Sequence, residues 1–183
     1  MTPSLRLSRI LPVVVLTAAL ALSLGAQSTG SDHTAHLRAW DAHKTLAQSS
    51  PYRSLSWSYL GPTNISGRVT DVVVAAHGAS RRLYAGSSCG GVWASDDLGQ
   101  TWQPIFDQAA STSTGALAVA PSNPDILWIG TGESNIFRSS YTGVGVYRST
   151  DNAKTFQHMG LIDTGTTGRI IIHPTNPNIV YVA

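Results

Sequence analysis

Short runs of β-branched and aromatic residues alternate with clusters of Gly, Pro, Asn and Asp from residue 57 to residue 183. Apolar runs bounded by such turn-forming clusters are typical of strands. We predict ten strands, at Val69–Ala75, Leu83–Ala85, Val92–Ser95, Trp102–Ile105, Ala116–Ala120, Leu127–Ile129, Gly145–Ser149, Thr155–Met159, Ile170–His173 and Ile179–Val182. The pattern therefore predicts an all-β domain over residues 57–183.

Residues 27–56 have a different pattern, which predicts a linker with a short helix over His33–Gln48. The apolar positions of this segment share one helical face: Leu37, Trp40 and Leu46. Asp32 is suited to cap the start of the helix. Pro51 follows its end, because a residue before proline is driven out of the helical conformation.

The first 26 residues have the three parts of a secretory signal peptide. Met1–Arg9 carries two arginines and no acid, and Ile10–Leu24 is an apolar run of 15 residues that leads into small residues. We expect cleavage between Ser23 and Gln27. The run is shorter than the roughly 20 residues that span a bilayer, so an uncleaved membrane anchor is the alternative. The predicted location is secreted or periplasmic.

Charge is sparse in this chain. Charged residues make up 12% of it, about half of the usual ~25%. Once Arg6 and Arg9 leave with the signal peptide, ten basic and ten acidic residues remain. With no basic run, nothing favours nucleic acid as a partner, and a membrane is a partner only through an uncleaved anchor.

Few residues have the spacing of a metal or cofactor site. Cys89 is the single cysteine, so an internal disulfide is excluded, and we interpret it as a small residue within Ser-Ser-Cys-Gly-Gly. Three histidines of the predicted helix lack a Cys or Glu at metal-ligand spacing: His33, His36 and His43. There is no phosphate-binding glycine loop or nucleophile elbow. We expect no metal and no cofactor.

The predicted strands recur as a repeat. Gly115–Ile129 aligns without a gap with Gly168–Val182 at an offset of 53, and Ser95–Trp102 aligns with Ser149–Phe156 at an offset of 54. Four short strands per ~50 residues are typical of a β-propeller blade. The chain holds about two and a half such units, too few to close a propeller. We expect it to be the N-terminal fragment of a longer protein, and completion by self-association is the alternative.

A motif recurs in each unit. Ser95, Asp97, Gly99, Thr101 and Trp102 form the pattern S-x-D-x-G-x-T-W, and the second copy has Ser149, Asp151, Thr155 and Phe156 in the matching positions. An Asp in a tight turn accepts hydrogen bonds from backbone N–H groups, Gly adopts angles that side chains resist, and the Trp packs between sheets. Ala153 replaces the Gly in the second copy. We interpret these residues as structural rather than catalytic.

This motif resembles the Asp box of sialidases and other BNR-repeat proteins. The resemblance covers residues 57–183 and extends to Gly67-Arg68-Val69, Gly90-Gly91-Val92-Trp93 and Gly130–Asn135, which are similar to the opening of large exported bacterial BNR proteins, often labelled glycosyl hydrolase or sortilin-like. It implies a propeller of four-stranded blades, with the Asp box away from the active site. Because enzymes and binding proteins share these repeats, the resemblance leaves the function open.

Two arginines are candidates for ligand binding. Arg68 and Arg169 each follow a Gly and precede the first strand of a unit, whereas the middle unit has Ala116. The first strand of a propeller blade lines the central channel, where two guanidinium groups would bind a carboxylate. The alternative is that each Arg forms a local structural pair.

A long loop follows the second strand of the middle unit. Glu133 stands at its start and Arg138 and Tyr141 lie within it, so all three are candidates for ligand contact. Glu133 is also a candidate acid/base, but glycosidases need a second carboxylate, and Asp71, Asp107, Asp125 and Asp163 are all better interpreted as turn residues. The catalytic residues are therefore not assigned.

Two functions are compatible with these residues. One is a scaffold, not catalytic by itself, that binds an extracellular glycan, peptide or protein. The other is the N-terminal part of a glycoside hydrolase, sialidase-like or glucanase-like, that acts on extracellular glycans. The absence of an acid pair in the sequence favours the scaffold.

Overall fold

The computed structural model describes residues 32–56, 67–135 and 140–183. The predicted signal peptide, the first ten residues of the predicted β domain and Arg138 lie outside the described residues. Within these residues, one α-helix, α1 (His33–Ser49), precedes ten strands in three antiparallel sheets. The fold is thus mostly β, and α1 ends one residue beyond its predicted end.

The strands follow chain order within each sheet. The first sheet contains β1 (Val69–His77), β2 (Ser80–Ser87), β3 (Val92–Ser95) and β4 (Gln103–Pro104). The second contains β5 (Thr114–Ala120), β6 (Asn123–Thr131), β7 (Val146–Ser149) and β8 (Gln157–His158). The third contains β9 (Ile170–Ile172) and β10 (Val180–Val182), and a short 3-10 helix (Ile162–Thr164) precedes it.

A strand lies at each of the ten predicted positions, but the first and second strands of the first two sheets are longer than predicted, and the fourth strands are shorter. In the first sheet the β1–β2 ladder continues to His77 opposite Ser80, next to the tight turn at Gly78 (φ 62°). In the second sheet β6 begins at Asn123, where an irregularity in register accommodates Pro124. The apolar pattern misses these residues because backbone pairing extends past the last buried side chain.

Two apolar cores hold the sheets together. Tyr84, Leu127 and Ile129 are fully buried in the core between the first and second sheets, against which Leu37 of α1 also packs. Trp128 and Ile170 belong to the core between the second and third sheets. The second sheet is therefore covered on both faces, which explains its near-continuous apolar strands.

Asp71 links the first strands of neighbouring sheets. It lies within β1, and its carboxylate accepts hydrogen bonds from the backbone N–H of Leu117 in β5 at 2.9 Å and of Val72 at 2.9 Å. The interpretation of Asp71 as a turn residue was wrong. A backbone N–H group at a strand edge needs a hydrogen-bond acceptor, and a carboxylate can accept from it just as it accepts from the N–H groups of a turn.

Candidate functional site

An ion pair joins two of the candidate residues. Arg68 immediately precedes β1 and Glu133 follows β6, so the packing of the first sheet on the second brings them together. Arg68 Nε donates to Glu133 Oε1 at 2.8 Å, and Nη2 donates to Oε2 at 2.7 Å. This parallel, two-point geometry is the strongest arrangement available to an Arg–carboxylate pair.

Glu133 is buried and forms hydrogen bonds through both its side chain and its backbone. It is only 1% exposed, and its backbone N–H donates to Ser113 Oγ at 3.1 Å and to the carbonyl of Tyr141 at 3.2 Å. The hydrogen bonds from Arg68 lower the pKa of Glu133, against the opposing effect of burial. The same contact raises the pKa of Arg68. At neutral pH Glu133 is therefore an ionised acceptor whose two oxygens are already occupied.

The other arginine lies elsewhere. Arg169 is exposed and starts the third sheet, where its backbone pairs with Ala183. Its side chain lines a groove of about 440 Å³ formed where β1, β5 and β9 lie side by side. Arg68 lines a different hollow, next to Trp93. The two arginines predicted to share a carboxylate are not brought to one site in this chain.

Aliphatic residues make up most of the lining of the groove along β1, β5 and β9, and polar and apolar atoms share its surface about equally. Val72 and Ile171 point into solvent there with 55% of each side chain exposed, and Val74 is also exposed. Asp71 lines the groove as well, but its carboxylate is engaged with backbone N–H groups. The other charged residue of this groove is Arg169. Among the described residues, its side chain takes part in no hydrogen bond or ion pair. Sequence reasoning missed the groove because uninterrupted apolar runs predict strands buried on both faces.

Tyr141 lies at a second hollow. It is 54% exposed and lines a volume of about 530 Å³ beside α1, together with His36 and Cys89. Cys89 is an exposed free thiol. Tyr141 and Glu133 are neighbours through backbone and loop contacts, yet the tyrosine ring faces solvent. Ligand contact by Tyr141 stays a prediction.

The first Ser–Asp turn, Ser95–Trp102, is organised by its acid. Asp97 Oδ1 accepts from Ser95 Oγ at 2.8 Å and from Thr101 N at 2.8 Å, and Oδ2 accepts from Thr101 Oγ1 at 2.6 Å. Trp102 Nε1 donates to the Gly99 carbonyl at 3.1 Å. The indole is 38% exposed and does not lie between two of the described sheets, contrary to expectation.

The second Ser–Asp turn, Ser149–Phe156, repeats these contacts. Asp151 Oδ1 accepts from Ser149 Oγ at 2.7 Å and from Thr155 N at 2.9 Å, and Oδ2 accepts from Thr155 Oγ1 at 2.5 Å. Phe156 packs edge-on against Phe106, which follows β4 of the first sheet, with ring centroids 5.0 Å apart. The aromatic of this copy therefore does pack between two sheets.

Each Ser–Asp turn contains two consecutive left-handed residues. These are Leu98 (φ 60°) with Gly99 (φ 91°), and Asn152 (φ 59°) with Ala153 (φ 62°). Ala153 keeps the turn that Gly99 forms, and its methyl group is buried in the core. The replacement of Gly by Ala therefore leaves the geometry intact, at the expense of backbone strain.

The hydrogen bonds of the two turns also change acidity. Donation from Thr101 and Ser95 lowers the pKa of Asp97 to about 2. Donation from Thr155 and Ser149 lowers the pKa of Asp151 as well. Carboxylates held this firmly in the ionised form are acceptors that fix a turn, and they are poor proton donors near neutral pH.

No group of three or more His, Cys, Asp or Glu residues is placed to hold a metal ion in the part of the chain that the structure describes. In α1, His33 Nδ1 lies 2.9 Å from the Gly143 carbonyl, so this histidine holds the helix against the sheets. Among the described helices, none is long and apolar enough to cross a membrane.

Comparison with solved structures finds a likeness over part of the chain. The crystal structure of an ancestral GH74 enzyme aligns with 70% of this chain and with 23% of its own chain, at 18% identity and a TM-score of 0.33. No protein-family model matches the sequence, and no curated protein matches it. The chain thus spans about a quarter of the length of that enzyme.

Proposed function

We propose that this chain is an exported, ligand-binding part of an Asp-box β-propeller. Two features support the architecture. The first two sheets each contain four antiparallel strands in chain order, and both place the same Ser–Asp turn between the third and fourth strands. The predicted signal peptide supports a secreted or periplasmic location. In this proposal the Ser–Asp turns are the Asp boxes, and they stabilise each sheet rather than act on a ligand.

The binding site of this proposal is the groove along β1, β5 and β9. The observation that carries it is the combination of exposed Val72 and Ile171 walls with Arg169 at the edge. Burial of apolar surface of this kind against a ligand is favourable. A guanidinium group binds carboxylates through paired, charge-assisted hydrogen bonds. The ligand class is therefore an extracellular glycan, peptide or protein segment that offers a carboxylate beside an apolar or ring surface.

The state of Glu133 supports a binding role over a catalytic one. A general acid needs a proton near neutral pH and a free path to the substrate. Glu133 is buried, and Arg68 both occupies its oxygens and favours its ionised form. In the proposed function this pair is a structural link between the first two sheets.

The test is a binding screen of the whole chain against immobilised acidic and neutral glycans and against peptides with free or amidated C-termini. We expect the bound ligands to carry carboxylates. Arg169→Ala should weaken their binding at least tenfold, because a charge-assisted hydrogen bond contributes roughly 1.5–3 kcal/mol, and Arg169→Lys should retain part of it. Arg81→Ala is the matched control, since Arg81 is exposed at the β1–β2 turn. The proposal would be contradicted if the bound ligands were neutral, or if Arg169→Ala bound the carboxylate ligands as tightly as the parent chain.

A further inference from the structure

The helix α1 lies against the sheets without burying any of its 17 residues. A helix in a folded domain ordinarily covers a core with an apolar face, because packing supplies most of its stability. The sequence predicts such a face from Leu37, Trp40 and Leu46. Of these three residues, Leu37 packs against the core between the first and second sheets, whereas Leu46 is 69% exposed. The helix is therefore attached to the sheets by part of its predicted face.

The described contacts of α1 with the sheets belong to its first half. His33 Nδ1 lies 2.9 Å from the carbonyl oxygen of Gly143, and Leu37 lies about one helical turn further along. Asp41 is close enough to Tyr147 of β7 to act on its phenol, whose pKa is raised by burial and, to a lesser extent, by this carboxylate. These contacts hold the first half of α1 over the core between the first and second sheets.

The second half of α1 is supported mainly by the helix itself. Residues 42–49 are all exposed, and the ring of His43 stacks on that of Trp40, with centroids 5.3 Å apart. The hydroxyls of Thr45 and Ser49 donate to carbonyls four residues earlier, a contact that weakens a helix slightly. Isolated helices shorter than about 12–15 residues are marginal in water even when rich in alanine. The helical state of α1, which is only slightly longer, therefore depends on the docking of its first half.

Exposed turns connect α1 to the chain that follows it. Residues 51–56 are all exposed. Arg53 N donates to the Ser50 carbonyl at 3.3 Å, and Leu55 N donates to the Tyr52 carbonyl at 2.9 Å. Because these hydrogen bonds lie within the segment, α1 can leave the sheets without breaking them.

The hollow of about 530 Å³ beside α1 has one wall that can move. His36 of α1 lines it together with Cys89 and Tyr141. The backbone of Tyr141 is fixed, because its carbonyl accepts from Glu133 N at 3.2 Å and from Ser113 Oγ at 3.0 Å. Departure of α1 would therefore widen the hollow on the side of His36 and leave the wall formed by Tyr141 in place.

We propose that α1 is a strap that closes this hollow and opens it by leaving the sheets, while the sheets stay folded. Segments that open well below the free energy of global unfolding have few buried apolar contacts and exposed backbone hydrogen bonds, and lids over binding sites are drawn from such segments. The helix α1 has these features, since none of its residues is buried. Access to the exposed ring of Tyr141 is thus controlled by α1, separately from the groove along β1, β5 and β9.

Hydrogen exchange of the whole chain, followed by mass spectrometry, measures the opening. Relative to their intrinsic rates, the amides of α1 should exchange at least about 100-fold faster than those of β5 and β6. Leu37→Ala removes the apolar contact with the core, so it should raise exchange in α1 about tenfold. Leu46→Ala is the matched control on the same helix and should leave exchange in α1 unchanged, because Leu46 is 69% exposed.

A variant in the other core separates this opening from global unfolding. Ile126 is 5% exposed and belongs to the core between the second and third sheets, away from α1. Ile126→Val should therefore raise exchange in β5 and β6 about fivefold, as expected for a lost buried methyl group, and leave exchange in α1 unchanged. Equal protection of α1 and β6 in the parent chain, or equal acceleration of both by Ile126→Val, would overturn the proposal.

The labelling rate of Cys89 reports on the hollow itself. Cys89 is the single cysteine of the chain, so a bulky reagent such as fluorescein maleimide labels one position beside α1. The labelling rate should rise in Leu37→Ala and match that of the parent chain in Leu46→Ala. If Leu37→Ala speeds exchange in α1 but labels at the parent rate, α1 does not control access to the hollow and the proposal is overturned.

Discussion

The hydrogen bond between Tyr84 and Asn152 links two sheets at a fully buried position, and its contribution can be worked out from the structure. The O–H···O distance is 2.9 Å and Tyr84 is 0% exposed. Tyr84→Phe removes the donor and leaves Asn152, which is partly exposed, free to turn to water, so we expect a loss of about 1 kcal/mol. Asn152→Gly keeps the left-handed backbone and leaves a buried hydroxyl without an acceptor, so we expect about 1–3 kcal/mol. The double variant should lose about 1 kcal/mol less than the sum.

The assay is urea unfolding of the four proteins at pH 7, followed by circular dichroism. In urea unfolding a loss of about 1 kcal/mol lowers the midpoint by roughly 0.3–1 M, since the slope for small proteins is about 1–3 kcal/mol per M. Tyr181→Phe in β10 is the matched control and should cost less than Tyr84→Phe, because Tyr181 is 64% exposed and the substitution makes the same chemical change at the protein surface. Additivity within about 0.3 kcal/mol in the Tyr84–Asn152 cycle would refute this reasoning.

The pH dependence of stability gives a second check on the same tyrosine. Burial raises the pKa of Tyr84 above its ordinary value, which is about 10. Because the pKa of Tyr84 is higher in the folded than in the unfolded state, the protonated hydroxyl makes its full contribution to the free energy of unfolding below pH ~10. This contribution is lost as the pH rises through the folded-state pKa. The alkaline fall in the urea midpoint should therefore be shallower in Tyr84→Phe.

Three further predictions concern the turns and the ion pair. The pKa of Asp97 is lowered to about 2, so its carboxylate contributes to the free energy of unfolding above pH ~4, and this contribution is lost as the pH falls toward 2. Asp97→Asn should therefore reduce the fall in stability on acidification. Urea midpoints measured from pH 2 to 6 check this. Arg68→Gln should lower the thermal midpoint at pH 7 by leaving the Glu133 carboxylate buried and unpaired, and adding Glu133→Gln should restore part of the loss in a calorimetric scan. Leu98 has a left-handed backbone (φ 60°), which strains a residue with a side chain, and it is 72% exposed, so little packing is lost when the side chain is removed. Leu98→Gly should therefore raise the free energy of unfolding by about 0.5–1 kcal/mol. An unchanged urea midpoint would contradict this.

The helix and the strand positions follow from the sequence because they depend on local pattern. The spacing in α1 and the alternation of apolar runs with turn clusters predict where each element lies, within a few residues. The contacts of Asp97 and Asp151 are also local, since their partners lie within four residues along the chain. What the pattern does not contain is the extent of each β-ladder, which depends on the pairing of backbones.

The arrangement of the candidate site does not follow from the sequence. Arg68 and Glu133 are 65 residues apart, and only the stacking of the sheets places one guanidinium group on that carboxylate. The sequence predicted them as separate ligand contacts, with a local structural pair as the alternative for Arg68, and did not identify Glu133 as its partner. The left-handed backbone of Leu98 and Ala153 was equally hidden, because only Gly signals that conformation by its identity.

The central claim is that the groove along β1, β5 and β9 binds a carboxylate through Arg169, and one thermodynamic cycle tests it most directly. The strongest ligand from the screen and its amidated form are titrated calorimetrically into the parent chain and into Arg169→Ala. The account predicts that the carboxylate form binds the parent chain at least tenfold more tightly than the amide, as expected for one charge-assisted hydrogen bond. It also predicts that Arg169→Ala abolishes this preference. An equal preference in the two proteins would place the carboxylate elsewhere and contradict the claim.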